Sequence, residues 1–201
     1  MPSGYVHGLI LHAPFPLDLP EAPGPDDVRL RLGPVRISSR RRTPRRNRSR
    51  WGGHRTGILW KGVATAYAWC EGIGAFRIHE GREIVADLAP GAGEALVRSW
   101  ILDRLMSPLL QQRGLLALHA SAAAIGGEAA IFLGRSGQGK STLAGFFRKQ
   151  GHLLLSDDMT ALEVGAKCSR VFPSLPQLRL SPKSWIALDI DPSLLPEAVP
   201  E

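Results

Sequence analysis

The first 90 residues alternate between apolar and polar positions in the manner of β-strands. Residues 5–12 are mostly apolar, and residues 27–32 alternate polar and apolar side chains with a period of two. Further short candidate strands cover 58–60, 63–69, 74–79 and 83–88. The dipeptide Glu80-Gly81 separates the last two and is typical of a hairpin turn. The pattern predicts a small antiparallel β unit over residues 1–90.

The spacing of apolar residues becomes helical near residue 92. One stripe along 92–113 is formed by Leu96, Val97, Trp100, Ile101, Leu105 and Leu109. Pro108 is expected to kink or end the helix, because proline has no amide hydrogen, and Gly114 is a natural stop. We expect residues 91–113 to form a bridging helix that packs the β unit onto the segment that follows.

The remaining segment, residues 114–201, has an α/β pattern. The apolar run 129–133 is short and continuous, as in a buried parallel strand, and it follows an apolar stretch at 115–125. A helix is predicted over 141–150 and a second buried strand over 153–155. After these, we expect strands at 159–164 and 170–172, a loop at 173–182 and a helical turn at 183–188.

A glycine-rich loop lies between the run 129–133 and the predicted helix. Its sequence is Gly134-Arg135-Ser136-Gly137-Gln138-Gly139-Lys140-Ser141-Thr142, which matches the P-loop (Walker A) pattern G-x-x-x-x-G-K-[ST] at every fixed position. In such a loop the backbone amides and the helix N-terminus bind phosphate. Lys140 is predicted to reach the β- and γ-phosphates and Ser141 to ligate Mg²⁺. The alternative is an ordinary glycine turn, but strand, loop and helix in this order favour nucleotide binding.

Two adjacent acids, Asp157 and Asp158, follow the predicted strand 153–155. The carboxyl ends of parallel strands share one edge of a sheet, so these acids are expected to face the phosphate loop. One carboxylate can serve as a metal partner, and the other can act as a base towards an acceptor hydroxyl. The alternative is a pair of strand-end acids that cap a turn.

His119 lies in the apolar stretch 115–125. A lone histidine in such a setting is more often a hydrogen-bonded core residue than a catalytic one. Taken by itself, therefore, the residue favours a structural role.

The basic charge of the chain is confined to one segment. The net charge is +7, and nine arginines lie between Arg36 and Arg55 without any acidic residue or lysine; subtracting them from +7 leaves −2. Residues 38–50 contain no apolar residue, so we expect residues 36–55 to be a disordered loop. A polyanion-binding arm is the alternative, but the segment lacks interleaved aromatic residues, so nucleic acid is not the expected partner.

The two cysteines, Cys70 and Cys168, form neither a zinc pattern nor a disulfide framework. No apolar run approaches the ~18 residues of a membrane-spanning helix, and the N-terminus lacks the pattern of a signal peptide. These features predict a cytoplasmic protein with no membrane partner.

Four runs occur in an order that resembles the catalytic domain of the HPr serine kinase/phosphorylase family. They are Leu118-His119-Ala120-Ser121, the loop 134–142, Arg148-Lys149-Gln150-Gly151-His152 and Ser156-Asp157-Asp158. Two more runs, 113–121 and 173–180, are similar to those of HPr-kinase-related proteins that carry a β-rich N-terminal half. The resemblance covers residues 113–182.

The resemblance implies an α/β P-loop domain of the PEP-carboxykinase and HPr-kinase type, preceded here by the β unit and the bridging helix. It implies that His119, Lys140 and Asp158 are catalytic, with Asp158 rather than Asp157 as the base. Ser141 would bind Mg²⁺, and Asp157 is then the second metal-binding residue. The implied cofactors are ATP and Mg²⁺, and the implied activity is transfer of the γ-phosphate to a serine of a protein or peptide.

Two features depart from the family pattern. Lys183 stands where an ungapped alignment would put a further Mg²⁺-binding glutamate, and the domain 114–201 is expected to be truncated at its C-terminus. They favour a second hypothesis, a non-catalytic nucleotide-binding protein that keeps the binding half of the site. Polyanion binding through the arginine-rich segment is the third and weakest hypothesis.

Overall fold

The structure is a computed structural model that describes residues 2–25, 27–37, 48–175 and 177–190. The chain is mixed α/β and divides into two compact units. Among the described residues, the first unit comprises 2–5 and 9–114, and the second comprises 6–8 and 115–190.

The first unit is built on one eight-stranded sheet. Its strands are β1 (Ser3–Val6), β2 (Leu9–His12), β3 (Val28–Leu32), β4 (Arg48–Trp51), β5 (His54–Lys61), β6 (Thr65–Cys70), β7 (Gly74–His79) and β8 (Glu83–Leu88). The spatial order is β1-β2-β3-β8-β7-β6-β5-β4. Along β6 the period-two pattern buries Ala66, Ala68 and Cys70 on one face, as expected for a sheet that covers a core on one side.

The sheet is mixed, so the prediction of an antiparallel β unit is wrong for part of it. Strands β4 to β8 pair antiparallel through successive neighbours, and the hairpin at Glu80-Gly81 is confirmed by the pairing of His79 with Glu83. β3, however, pairs parallel with both β2 and β8. The proline-rich connection between β2 and β3 is long enough for a crossover, which parallel pairing requires and a tight turn cannot provide.

The expectation of a disordered loop over residues 36–55 is wrong for its last part. Residues 48–51 form β4, which pairs with β5 across a Gly52-Gly53 turn whose φ angles are 51° and 80°. The Trp51 ring packs edge-on against Trp100 at a centroid distance of 5.4 Å, and this contact anchors the hairpin. Residues 38–47, with the densest arginines, lie outside the described residues.

The predicted helix is present but is interrupted by a wider turn. It consists of α1 (Glu94–Trp100), a π-helical segment (Ile101–Leu105) and α2 (Met106–Gln112). The helix does not end at Pro108, since α2 continues past it. A proline at this position cannot donate to the carbonyl of Arg104, and the π segment lies directly upstream, where the helical bonding pattern has to change.

The helix belongs to the first unit and packs on its sheet. Trp100, Ile101, Leu105 and Leu109 are buried. At the C-terminal end, Gln112 Nε2 donates to the Ile78 carbonyl at 3.3 Å, and its Oε1 accepts from the Gly81 amide at 2.8 Å. The apolar stripe in the sequence is therefore the face of the helix that packs in the core, and the two hydrogen bonds of Gln112 attach the end of the helix to the sheet.

Over its described residues, the second unit contains two three-stranded sheets and two helices. Its elements are β9 (Leu116–Leu118), β10 (Ala120–Ile125), β11 (Glu128–Leu133), α3 (Lys140–Lys149), β12 (Leu153–Ser156), β13 (Thr160–Val164), β14 (Ser169–Phe172) and α4 (Pro182–Ala187). One sheet has the order β11-β10-β12 and the other β14-β13-β9.

The strand before the glycine loop is neither buried nor part of a parallel pair, contrary to the prediction. β11 is an edge strand that pairs antiparallel with β10, and Leu133 at its end is 68% exposed. β12 also pairs antiparallel with β10, on the opposite side. β11 and β12 therefore run in the same direction, and their carboxyl ends share one edge of the sheet although they are not neighbours.

No helix in the described ranges is long and apolar enough to cross a membrane. Both cysteines are free: Cys168 is exposed and Cys70 is buried. Burial raises the pKa of the Cys70 thiol to about 11, so this side chain remains a neutral core group.

Candidate functional site

The glycine loop connects the end of β11 to the start of α3. Gly137 and Gly139 have φ angles of 80° and 82°, which L-residues with a side chain rarely adopt. At Gly134 the side chain of Gln138 comes close: a Cβ there would lie 2.8 Å from Gln138 Oε1, so a larger residue would displace that side chain. That oxygen accepts from the Arg135 amide at 2.6 Å, so the Gln138 side chain braces the loop from inside. The loop curls back on itself as phosphate-binding loops do.

Asp157, at the carboxyl end of β12, lies against the first turn of α3. Its Oδ1 accepts from the Ser141 hydroxyl at 2.8 Å and also from the Ser121 hydroxyl. Its Oδ2 accepts from the Arg179 amide at 2.7 Å. The carboxylate is therefore held by three donors, and one of them is the loop serine that the motif assigns to a metal ion.

Asp158 adopts the left-handed conformation, with φ of 68°. Aspartate tolerates this region better than most residues, but it still carries local strain. Its Oδ1 lies 3.1 Å from His119 Nδ1, and its backbone carbonyl oxygen lies 3.0 Å from the same nitrogen. Its Oδ2 pairs with Arg179 Nη1 at 3.0 Å. The unusual backbone thus directs two oxygens of one residue at His119.

His119 connects Asp158 to the loop lysine. Its Nε2 lies 3.2 Å from Lys140 Nζ, which also donates to the Arg135 carbonyl at 3.2 Å. A lysine ammonium can only donate, so Nε2 must accept, and the ring proton then belongs on Nδ1, facing Asp158. This hydrogen-bond network assigns the tautomer and joins Lys140, His119 and Asp158 in one chain.

The fold presents His119 at a change of sheet. The residue occupies a single-residue bend between β9, in one sheet, and β10, in the other. More than half of its side chain, 56%, is exposed, so the alternative of a core histidine is wrong.

A buried polar network supports the neighbouring strands. The Ser156 and Thr160 hydroxyls lie 2.7 Å apart, and the Thr160 hydroxyl donates to the Ala120 carbonyl at 3.1 Å. Ser121, Ser156 and Thr160 are all fully buried. Buried hydroxyls that are satisfied in this way fix the register of the chain next to His119.

Two contributors to the site were not predicted from the sequence. Ser121 was part of the run 118–121, but no role was inferred for its hydroxyl. Arg179 lies in a segment that was predicted to be a loop, 21 residues after Asp158, and it contacts both acids. The alternation Leu178-Arg179-Leu180 was the available signal, since it indicates an extended piece with one polar side chain facing away from two apolar ones.

The structure gathers the predicted catalytic and metal-binding residues into one cluster. His119, Lys140, Ser141, Asp157 and Asp158 are linked by the contacts given above. Thr142 instead bonds to the Ser184 hydroxyl at 2.7 Å, which ties the start of α3 to α4.

The oxygen donors fit Mg²⁺ as P-loop proteins bind it. Magnesium prefers hard oxygens and is usually held by one or two carboxylates together with phosphate oxygens and water. The Ser141 hydroxyl and the Asp157 carboxylate, which lie 2.8 Å apart, offer two hard oxygen ligands of this kind. Over the described residues there is no group of three or more His, Cys, Asp or Glu side chains that could hold a metal ion.

Comparison with known proteins gives no relative: no family model, no curated protein and no solved structure matches this chain.

Proposed function

We propose that the second unit binds ATP with Mg²⁺ through the glycine loop. The observation that carries the proposal is the contact of the loop serine, Ser141, with Asp157 at 2.8 Å, beside a lysine that is 9% exposed at the first position of α3. An ordinary glycine turn needs neither a lysine nor a carboxylate at this point. A P-loop site for a nucleotide with Mg²⁺ uses both, since the lysine neutralises phosphate charge and the carboxylate helps to hold the counter-cation.

The residues of the loop have separate tasks in this proposal. The amides at the start of α3 and the Lys140 ammonium bind the phosphates, and Ser141 and Asp157 hold Mg²⁺. When bound, Mg²⁺ neutralises charge on the phosphate oxygens. Lys140 is already next to His119, so phosphates at the loop are also close to His119 and Asp158.

A serine kinase is the activity that this site supports best. A hydroxyl nucleophile must lose a proton as it attacks the γ-phosphorus, and a carboxylate or imidazole within hydrogen-bond distance can take it. Asp158 is the proposed base, and His119, whose Nδ1 faces Oδ1 of Asp158, orients the carboxylate. The sequence likeness to HPr-kinase-type domains supports a serine of a protein or peptide as acceptor and a PEP-carboxykinase-type P-loop fold. A cytoplasmic location, where ATP is abundant, belongs to the same proposal.

Transfer of labelled phosphate tests the kinase proposal. The protein is incubated with γ-labelled ATP, Mg²⁺ and a randomised peptide library that contains serine, beside a matched library in which threonine replaces serine. We expect phosphoserine in the first library and at least a ~100-fold loss of transfer in Asp158→Asn, because a positioned base contributes on the order of 10²–10⁴-fold. A folded protein that binds ATP and labels neither library nor itself would contradict the kinase proposal.

A non-catalytic nucleotide-binding protein is the second candidate. The specific observation in its favour is Lys183, in α4, at the position where the resemblance implies a Mg²⁺-binding glutamate. This candidate predicts a rise in melting temperature with ATP, as any ligand of the folded state gives, but no transfer or hydrolysis. The two candidates thus share the binding site and differ only in turnover.

A further inference from the structure

The arginine loop, residues 177–181, packs on α3 through its two leucines. A Cβ added to Gly145 would lie 3.4 Å from Leu178 Cδ1 and 3.9 Å from Leu180 Cδ2, so both leucine side chains approach the helix at this glycine. Arg179 lies between them and points the other way, as alternate residues of an extended chain do. The apolar contacts therefore hold the loop on the helix and turn Arg179 towards the acids.

Arg179 contacts the two acids with chemically different groups. Its backbone amide donates to Asp157 Oδ2 at 2.7 Å, and its guanidinium Nη1 pairs with Asp158 Oδ2 at 3.0 Å. In each acid the other oxygen, Oδ1, faces the site: Asp157 towards Ser141 and Asp158 towards His119. One residue thus holds one oxygen of each carboxylate and leaves the second oxygen for the site.

We propose that Arg179 is the positioning residue of the acid pair, a role that rests on the proposed function of this site. Two adjacent carboxylates repel each other, and the left-handed backbone of Asp158 carries strain. A guanidinium on Asp158 offsets the repulsion and keeps Oδ1 on His119. The amide on Asp157 keeps that carboxylate on Ser141. Arg179 acts through the acids and does not itself take part in the transfer.

The two contacts can be separated by substitution. Arg179→Gln keeps the backbone amide that donates to Asp157 and removes the ion pair with Asp158. Arg179→Lys keeps a positive charge but loses the planar guanidinium group with its several N–H donors. Arg170→Gln is a matched control, because Arg170 is an exposed arginine of the same unit that pairs only loosely, at 3.9 Å, with Glu163.

The first test needs no activity. Nitrogen-detected NMR of the arginine guanidinium groups, recorded on the full chain without nucleotide, reports whether Arg179 is held. We expect a slowed Arg179 guanidinium signal in the wild type that is retained in Asp157→Asn and lost in Asp158→Asn. An Arg179 guanidinium that rotates freely in the folded wild type would overturn the proposal, whatever the protein does with ATP.

The second test measures kcat and KM separately, with Mg²⁺ and γ-labelled ATP as the probe. We expect Arg179→Gln to lower kcat by ~10- to 100-fold, the range seen when partners that orient active-site ligands are removed, with KM for ATP within about threefold. Arg179→Lys should restore part of the loss, and Arg170→Gln should match the wild type. Unchanged kcat in Arg179→Gln would overturn the positioning role. So would an equal loss of kcat and ATP affinity together with a lower melting temperature, since it indicates a merely structural residue.

The two tests distinguish this proposal from the kinase proposal. A wild type that binds ATP without transferring phosphate contradicts the kinase activity, and the NMR result then decides on its own whether Arg179 holds Asp158.

Discussion

At the scale of single residues, the site depends on the different environments of two neighbouring acids. Asp157 accepts three hydrogen bonds and contacts the loop serine, whereas Asp158 adopts φ of 68° and faces His119 and Arg179. Two chemically identical side chains therefore have different surroundings, which suit the tasks proposed for them: metal binding for Asp157 and proton transfer for Asp158. The difference comes from backbone conformation, which the sequence Asp-Asp does not encode visibly.

Asparagine substitutions separate these tasks, because asparagine keeps the size of aspartate and tolerates the left-handed region. Asp157→Asn is expected to weaken the Mg²⁺ dependence of ATP binding, raising Kd for Mg²⁺-ATP by about 10-fold or more. Asp158→Asn is expected to leave that Kd within about threefold. Calorimetric titration of each variant with ATP, with and without Mg²⁺, measures both; equal effects on Mg²⁺-ATP affinity would contradict the division of roles.

His7 is a buried titratable residue of the second unit. Its side chain is 2% exposed, its Nε2 lies 3.4 Å from the Ser174 hydroxyl, and among the described residues its Nδ1 has no hydrogen-bond partner. Burial lowers the pKa of His7 from 6.5 to about 4. The histidine is therefore neutral in the folded protein at neutral pH, and protonation favours the unfolded chain.

Stability is expected to fall with pH between about 6.5 and 4. In this window the unfolded chain binds a proton at His7 and the folded protein does not, so the free energy of unfolding decreases as the pH falls, by about 3 kcal/mol in all. Above pH 6.5 both states are neutral and the effect vanishes. His7→Asn, which tolerates the φ of 52° at this position, should reduce the pH dependence. Urea unfolding of both proteins from pH 4.5 to 7.5 checks this, and parallel curves would contradict it.

At the scale of elements, local patterns in the sequence predicted individual helices and strands better than they predicted which strands pair. The helix α3, the strand β12 and the hairpin at Glu80-Gly81 follow from short patterns, and the structure contains them. The neighbours of β11 do not follow, because an apolar run has the same composition at the edge of a sheet as in its centre. The parallel pairing of β3 with β8 could not be predicted from local patterns either, because 50 residues separate these strands along the chain.

The contact between α3 and the chain after β14 depends on Gly145. A Cβ at this position would lie 2.7 Å from Leu188 Cδ1, the flexible end of a buried side chain, and 3.4 Å from Leu178 Cδ1. Gly145→Ala should change stability by no more than about 1 kcal/mol, because the gain in helix propensity offsets a small shift of Leu188. Gly145→Leu should overpack the contact and destabilise the protein by about 1–3 kcal/mol.

Denaturant unfolding of the two glycine variants measures these changes. Gly145→Leu should also displace the arginine loop, so the slowed guanidinium signal of Arg179 should disappear in this variant and persist in Gly145→Ala. An intact signal in a destabilised Gly145→Leu variant would show that the loop is not held by α3.

At the scale of the whole molecule, the net charge of +7 does not describe the part of the chain that carries the site. Nine arginines lie between residues 36 and 55 in the sequence, whereas the site in the second unit combines two acids with one lysine, one arginine, one histidine, the loop serine and the loop backbone. The glycine loop and Asp157-Asp158 could be predicted because each is a local pattern with a known chemistry. Arg179 could not be assigned to them, because its contacts arise only when the arginine loop packs on α3.

The most direct test of the account is the dependence of ATP binding on Lys140. We predict that the full chain binds ATP in calorimetry, that Mg²⁺ strengthens binding, and that Lys140→Ala weakens it by ~10- to 100-fold, since a hydrogen bond to a charged group contributes about 1.5–3 kcal/mol. Lys167→Ala, which removes an exposed lysine from the turn between β13 and β14, should bind as the wild type does. No binding at millimolar ATP by the folded protein, or equal affinity of Lys140→Ala and the wild type, would contradict the account.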